Sequence, residues 1–157
     1  MARHYGRSLR GCRCLSALPH GHWQTSTFLA ALRHDRIDAP FLVEGPMDAD
    51  AFTAYLEHLL CPTLRPGDTL ILDNLSTHKI PSVCRLLSAC GAQVRYLPPY
   101  SPDLNPMELA IAKLKAHLRQ AAARTLEGLL GAVADALDSF STSHCQAFFR
   151  HAQYASI

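Results

Sequence analysis

Apolar positions in this chain recur with two distinct periods, and the switches between them mark out the expected elements. Residues 12–18 and 27–33, "CRCLSAL" and "TFLAALR", flank the turn-rich "PHGHWQTS" and predict two strands of an antiparallel pair. The run "APFLVEG" (39–45) reads either as a third strand or as an extended lead into a helix. Over 48–60, Phe52, Tyr55, Leu56, Leu59 and Leu60 fall at helical spacing behind an acidic start, with Pro62 just beyond. Residues 69–72 are a short apolar run without alternation, as expected of a central strand covered on both faces. A helix over 81–91 puts Val83, Leu86, Leu87 and Cys90 on one face, opened by Pro81 and closed by Gly91. "QVRYL" (93–97) alternates like a strand. A helix follows from about 106 to 122 with Met107, Ile111, Leu114 and Leu118 inward, and a last one over 126–140 with Leu126, Leu129, Leu130, Val133 and Leu137 inward.

The order strand pair, helix, strand, helix, strand, helix, helix predicts an α/β fold, a mixed sheet with a parallel section at its centre and helices around it. One domain over 1–157 accommodates all of it. Ligands of such sheets gather beyond the carboxyl ends of the strands. Asp73 closes "LILD" at that end of the most apolar strand.

Composition narrows the class without naming a function. With 48% apolar and 18% charged residues the chain is that of a globular protein, not a disordered one. No apolar run has the length of a membrane helix, and the basic "MARHYGRSLRGCRC" lacks the apolar core of a secretory signal. The six cysteines contain no C-x-x-C pair, which reads as reduced thiols in a cytoplasm. Net charge is only +2 but uneven: Arg3, Arg7, Arg10 and Arg13 crowd the first thirteen residues without an acid, and Lys113, Lys115, Arg119 and Arg124 crowd the other end. Twelve of the fifteen cations are arginine, whose planar fork grips phosphates, so the patches fit a polyanion as well as a solvated face.

Two carboxylates then stand out. Asp73 follows a strand, and Glu108 opens the helix after the next strand, behind "LPPYSPDLNP" with its four prolines. Side-by-side strands bring the two together although 34 residues separate them. Oxygen ligands of this kind suit Mg²⁺, and a two-metal site suits phosphodiester chemistry. Each acid also has a plainer reading: Asp-Asn opens turns, and Asn105–Pro106–Met107–Glu108 is close to a capping box. Lys115 and Arg119 lie seven and eleven residues after Glu108, on one helical stripe that suits DNA leading to a metal centre. His78 reads as a phosphate contact, a water-orienting group or a polar loop residue.

"LILDNLSTHK" (70–79) and "VRYLPPYSPDLNPMELAIAKLK" (94–115) together resemble the catalytic core of mariner-related insertion-sequence transposases, the DDE superfamily endonucleases; "HYGRSLRGCRC", "PHGHW" and "GPMDADAF" resemble its upstream half. The resemblance implies an RNase H-like mixed sheet flanked by helices, and a nuclease using Mg²⁺, with Mn²⁺ as substitute, that cuts transposon ends and joins them to target DNA. It implies Asp73 as second and Glu108 as third catalytic, metal-holding acid. The cation patches, the helical stripe and the loop position place Arg3, Arg7, Arg10, Lys115, Arg119 and His78 toward DNA. The resemblance also implies a homodimer in the active assembly, no membrane partner, and a cytoplasmic, nucleoid-associated location. The family's first aspartate sits on a first strand upstream of "MARHYGR", as does its helix-turn-helix module. The chain is therefore expected to lack that strand and that acid, and by itself to neither cleave nor join DNA. Two alternatives stand beside this reading. A catalytically inactive fragment would only bind DNA or self-associate, and Cys12, Cys14, His20 and His22 would offer zinc four ligands within eleven residues.

Overall fold

The computed structural model describes residues 6–15 and 25–154. The first element after residue 25 is a hairpin: β1 (Ser26–Leu32) runs antiparallel to β2 (Ile37–Glu44). The strand over 27–33 is thus present, but its partner is 37–44, which settles the "APFLVEG" run as a strand. Residues 12–15 are exposed and without regular structure, Ser8 and Leu9 closing a turn onto Cys12, while 16–18 lie outside the described residues. Chain connectivity explains the exchange of partners. The 33–36 turn closes locally, with the Arg33 N–H donating to the Arg36 carbonyl at 2.8 Å. Closing so short a loop costs less entropy than closing one through 19–26.

The ladder is interrupted where Leu29 pairs with Phe41 and Ala31 with Asp38, so that Ala39 and Pro40 stand opposite a single residue. Pro40 has no N–H to give, and Ala39 takes a positive φ of 50°, as a bulge requires. The bulge has an anchor: the Tyr55 hydroxyl donates to the Ala39 carbonyl at 3.0 Å.

Helix α1 (Ala49–Tyr55) starts at Asp48, whose side chain accepts the Ala51 N–H. It continues as a π turn over Leu56–Leu60 and a 3₁₀ turn over Cys61–Thr63, which holds Pro62 in its first turn and ends where Leu64 becomes extended. β3 (Thr69–Leu72) and β4 (Gln93–Tyr96) pair in parallel, Leu72 opposite Tyr96, with α2 (Pro81–Ala89) as the crossover. Phe52, Tyr55, Leu56 and Leu60 form the core with Val83 and Leu87, and Leu29, Leu70, Leu72 and Val94 pack against it. Both ladders therefore rest on the same apolar layer.

β3 is only half buried, not covered on both faces as its composition predicts. The reason is that the expected single mixed sheet is present as two two-stranded ladders. The edges of β1 and β3 opposite their paired strands have no strand partner among the described residues, and a cleft of about 360 Å³ lies between them, lined by Ala31, Leu32, Thr69, Leu70, Phe149 and Tyr154.

α3 (Pro106–Ala121) packs on α4 (Leu126–Asp138) and on α5 (Thr142–His151) around Ala110, Leu114, Val133, Ala136 and Cys145. Two corrections follow. Leu126 and Leu130 are 47% and 49% exposed rather than inward. The helix α5 was not anticipated at all, although Ser141 caps it with a reciprocal bond to His144. No described helix is long and apolar enough to cross a membrane.

Candidate active site

Asp73 leaves the carboxyl end of β3, half exposed, and its Oδ1 accepts the Leu75 N–H at 3.2 Å. The turn-opening reading of Asp73 is thus met, with its carboxylate still half exposed. The Leu97 N–H donates to the Leu72 carbonyl at 2.8 Å, so the proline loop departs from the same end of the parallel pair as Asp73.

That loop makes a 3₁₀ turn over Pro102–Leu104 and delivers Asn105 as the cap of α3, its Oδ1 accepting the Met107 N–H at 3.1 Å with Pro106 in the first turn. Such a cap invites Glu108 to reach back to the Asn105 N–H. Here that N–H is already given to the Pro102 carbonyl at 2.9 Å. Glu108 is therefore an exposed first-turn carboxylate with no side-chain hydrogen bond among the described residues. From the far side, the Tyr154 hydroxyl donates to the Leu104 carbonyl at 3.0 Å and pins the loop.

Lys115 and Arg119 are exposed on the stripe that runs from Glu108. Lys113, counted by sequence among the same cations, is not free. Its ammonium donates to the Ser139 carbonyl at 2.7 Å, meets His144 Nδ1 at 2.9 Å and sits 4.4 Å from the Phe140 ring centre. Burial pushes its pKa below the ordinary lysine value. Arg7 and Arg10 are exposed, and Arg3 lies outside the described residues. Cys12 and Cys14 are exposed free thiols, whereas His20 and His22 lie outside the described residues.

His78 is not the open loop residue its surroundings in sequence imply. Its side chain is 16% exposed, its ring lies 4.6 Å from that of Phe52, and Nδ1 comes within 2.7 Å of Asp73 Oδ1. Tyr96, unmarked by sequence, donates to the His78 carbonyl at 2.9 Å and so ties this turn to β4. A hydrogen bond with Cys84 is the main cause raising the Tyr96 pKa. An aromatic at a strand's carboxyl end was the only signal available for it.

Asp73 and Glu108 each offer carboxylate oxygens, the donor type that Mg²⁺ takes. Among the described residues no group of three or more His, Cys, Asp or Glu side chains is placed to hold a metal ion.

No curated protein sequence matches the chain. Solved structures do match its fold. The Mos1 transposase strand transfer complex superposes with a TM-score of 0.71 at 16% identity, over 94% of this chain and 46% of that one. The Mos1 paired-end complex with the left transposon end gives 0.69 at 14%, with the same two coverages of 94% and 46%. The Mos1 catalytic domain with raltegravir and Mg gives 0.60 at 14%, over 83% of this chain and 75% of that one. The chain thus spans about half the length of the longer Mos1 chains, and the likeness carries an RNase H-like α/β fold. The family model of the DDE superfamily endonucleases matches residues 1–130, a span that includes both Asp73 and Glu108. By that match the chain belongs to the DDE superfamily endonucleases.

Proposed function

We propose that the chain is the catalytic core of a DNA transposase, with Asp73 and Glu108 as metal-holding carboxylates for cleavage and strand transfer at transposon ends. The observation that carries this reading is the freedom of Glu108. The proline loop satisfies the helix cap without it, leaving a fixed carboxylate that the fold does not use. A divalent ion held there, Mg²⁺ or Mn²⁺, would stabilise charge on a phosphodiester and favour ionisation of the attacking water or hydroxyl. The chain's own part is to present Asp73 from β3 and Glu108 from α3, and to lead the DNA backbone along Lys115 and Arg119. Arg7 and Arg10, with Arg3, extend that contact.

Two dications repel, and two carboxylates offset that repulsion poorly. The 157 residues by themselves should hold one weakly bound Mg²⁺ with mostly water around it. The test is nicking of a labelled transposon-end duplex in Mg²⁺ or Mn²⁺. The isolated chain is expected to be inactive, and fusion to an upstream strand carrying an aspartate is expected to give activity that Asp73→Asn removes. Cleavage by the isolated chain that Asp73→Asn abolishes would mean that another residue completes the site. Activity of the fused form that survives Asp73→Asn would refute the assignment.

A second reading has its own support. The edges of β1 and β3 beside the cleft, unpaired among the described residues, suit a module that associates with another chain through strand pairing. Concentration-dependent dimerisation without metal dependence would favour it.

A further inference from the structure

We infer that His78 is a positioning residue that sets which oxygen of Asp73 faces outward, rather than a contact to DNA. The inference rests on the reading of Asp73 as a metal-holding carboxylate, and it starts from where the imidazole is. A phosphate contact needs a ring edge in solvent. This ring lies tilted at 34° against Phe52, itself part of the core, and is mostly covered. Nδ1 is wholly removed from solvent and has no aligned hydrogen bond, yet it stands 2.7 Å from Asp73 Oδ1. A buried polar nitrogen without a partner is costly, and the only group that the described contacts offer it is that oxygen.

The backbone around the ring is fixed on both sides. The His78 N–H donates to the Leu75 carbonyl at 3.1 Å, and the His78 carbonyl accepts the Tyr96 hydroxyl at 2.9 Å. Tyr96 pairs with Leu72, the residue before Asp73, which closes a circuit through both strand ends. Every contact to the carboxylate falls on Oδ1: the Leu75 N–H from one direction and His78 from another. Rotation about the last torsion of an aspartate is soft. Two contacts on one oxygen restrict it, and Oδ2 is left without a hydrogen-bond partner among the described residues. Groups that orient a ligating side chain in this way typically change metal affinity by about 10–100-fold.

The test uses the 157-residue chain, Mn²⁺ followed by its electron paramagnetic resonance signal, and a short duplex in metal-free buffer. His78→Phe keeps a ring against Phe52 and removes the nitrogen; His78→Gln restores a donor. His78→Phe is expected to weaken Mn²⁺ binding by about 10–100-fold, His78→Gln to recover part of it, and neither to change duplex affinity. Unchanged Mn²⁺ affinity in His78→Phe overturns the inference, as does a loss of metal-free duplex binding in that variant. Should His78→Phe fail to fold, His78→Met takes its place with the same outcomes. Asp73→Asn separates the two claims: if it binds Mn²⁺ as wild type does, or wild type binds none, the reading of Asp73 as a metal ligand fails first.

Discussion

Arg33 joins three parts of the fold through one guanidinium, and its removal has a calculable effect. Its Nε lies 2.5 Å from Asp38 Oδ2 on β2, and its Nη2 lies 2.7 Å from Asp68 Oδ2 before β3 and 3.0 Å from the Thr63 carbonyl. The hairpin is thereby fastened to the parallel pair. Hydrogen bonds to charged groups contribute about 1.5–3 kcal/mol each when shielded, whereas exposed pairs contribute about 0–1. At 22% side-chain exposure Arg33 sits between these limits. Its partners are not left orphaned, since Asp38 keeps Arg36 at 2.7 Å and Asp68 keeps the Arg65 N–H at 3.0 Å. About 1 kcal/mol per contact is then reasonable, so Arg33→Met, which retains the apolar stem, should cost about 2–4 kcal/mol.

The assay is urea unfolding of both proteins across pH. For Asp38, burial pushes the carboxyl up, but the Arg36 and Arg33 bonds outweigh it and leave the pKa below 3.8. For Asp68 the Arg33 bond, then the Arg65 N–H, lowers it from the same value. Carboxylates with depressed folded pKa values stabilise fully above the unfolded value and lose that contribution as pH falls through the folded one. The gap between the two proteins should therefore be full at neutral pH and close below 3.8. A cost under about 0.5 kcal/mol at neutral pH, or one undiminished in strong acid, would refute the account.

Replacing Lys115 and Arg119 by alanine should weaken sequence-independent DNA binding and lower the salt slope by about one for each. Lys113→Met should leave that slope unchanged, because its ammonium is spent on Ser139 and His144. Tyr154→Phe should cost about 1 kcal/mol and speed amide exchange in the 102–105 turn, with unchanged exchange there counting against the anchor. Burial pushes the Cys61 thiol up to about 12, so exposed Cys12 and Cys14 should be alkylated first at pH 8, as mass spectrometry would show. Because an unfolded Cys61 ionises more readily, its contribution to stability should fall as pH rises past 9.0.

The elements that sequence located well are those with local signals. Residues 69–72 and 93–96 carry their own strand pattern, and α3 begins at Asn105–Pro106 because a cap and a first-turn proline are readable without any tertiary knowledge. Pairing was legible only in part, since nothing in "CRCLSAL" or "APFLVEG" says which of them Ser26–Leu32 meets. α5 was missed because Cys145, Phe148 and Phe149 follow a Ser/Thr run that also reads as a loop. At the site, the acids were visible as residue types, whereas the Tyr96 and Lys113 contacts reach 18 and 31 residues along the chain, and the burial of His78 comes from Phe52 in another helix.

The bond from Tyr154 to Leu104 spans 50 residues, and it gives the loop a place in time as well as in space. On a ribosome adding about 5–20 residues per second, Leu104 waits roughly 2.5–10 seconds for its partner to be made. During that interval β3, α2 and β4 are already complete, while the segment that presents Glu108 still lacks its outer tether. The nascent chain thus acquires its parallel strand pair before the loop that leads to Glu108 is fastened.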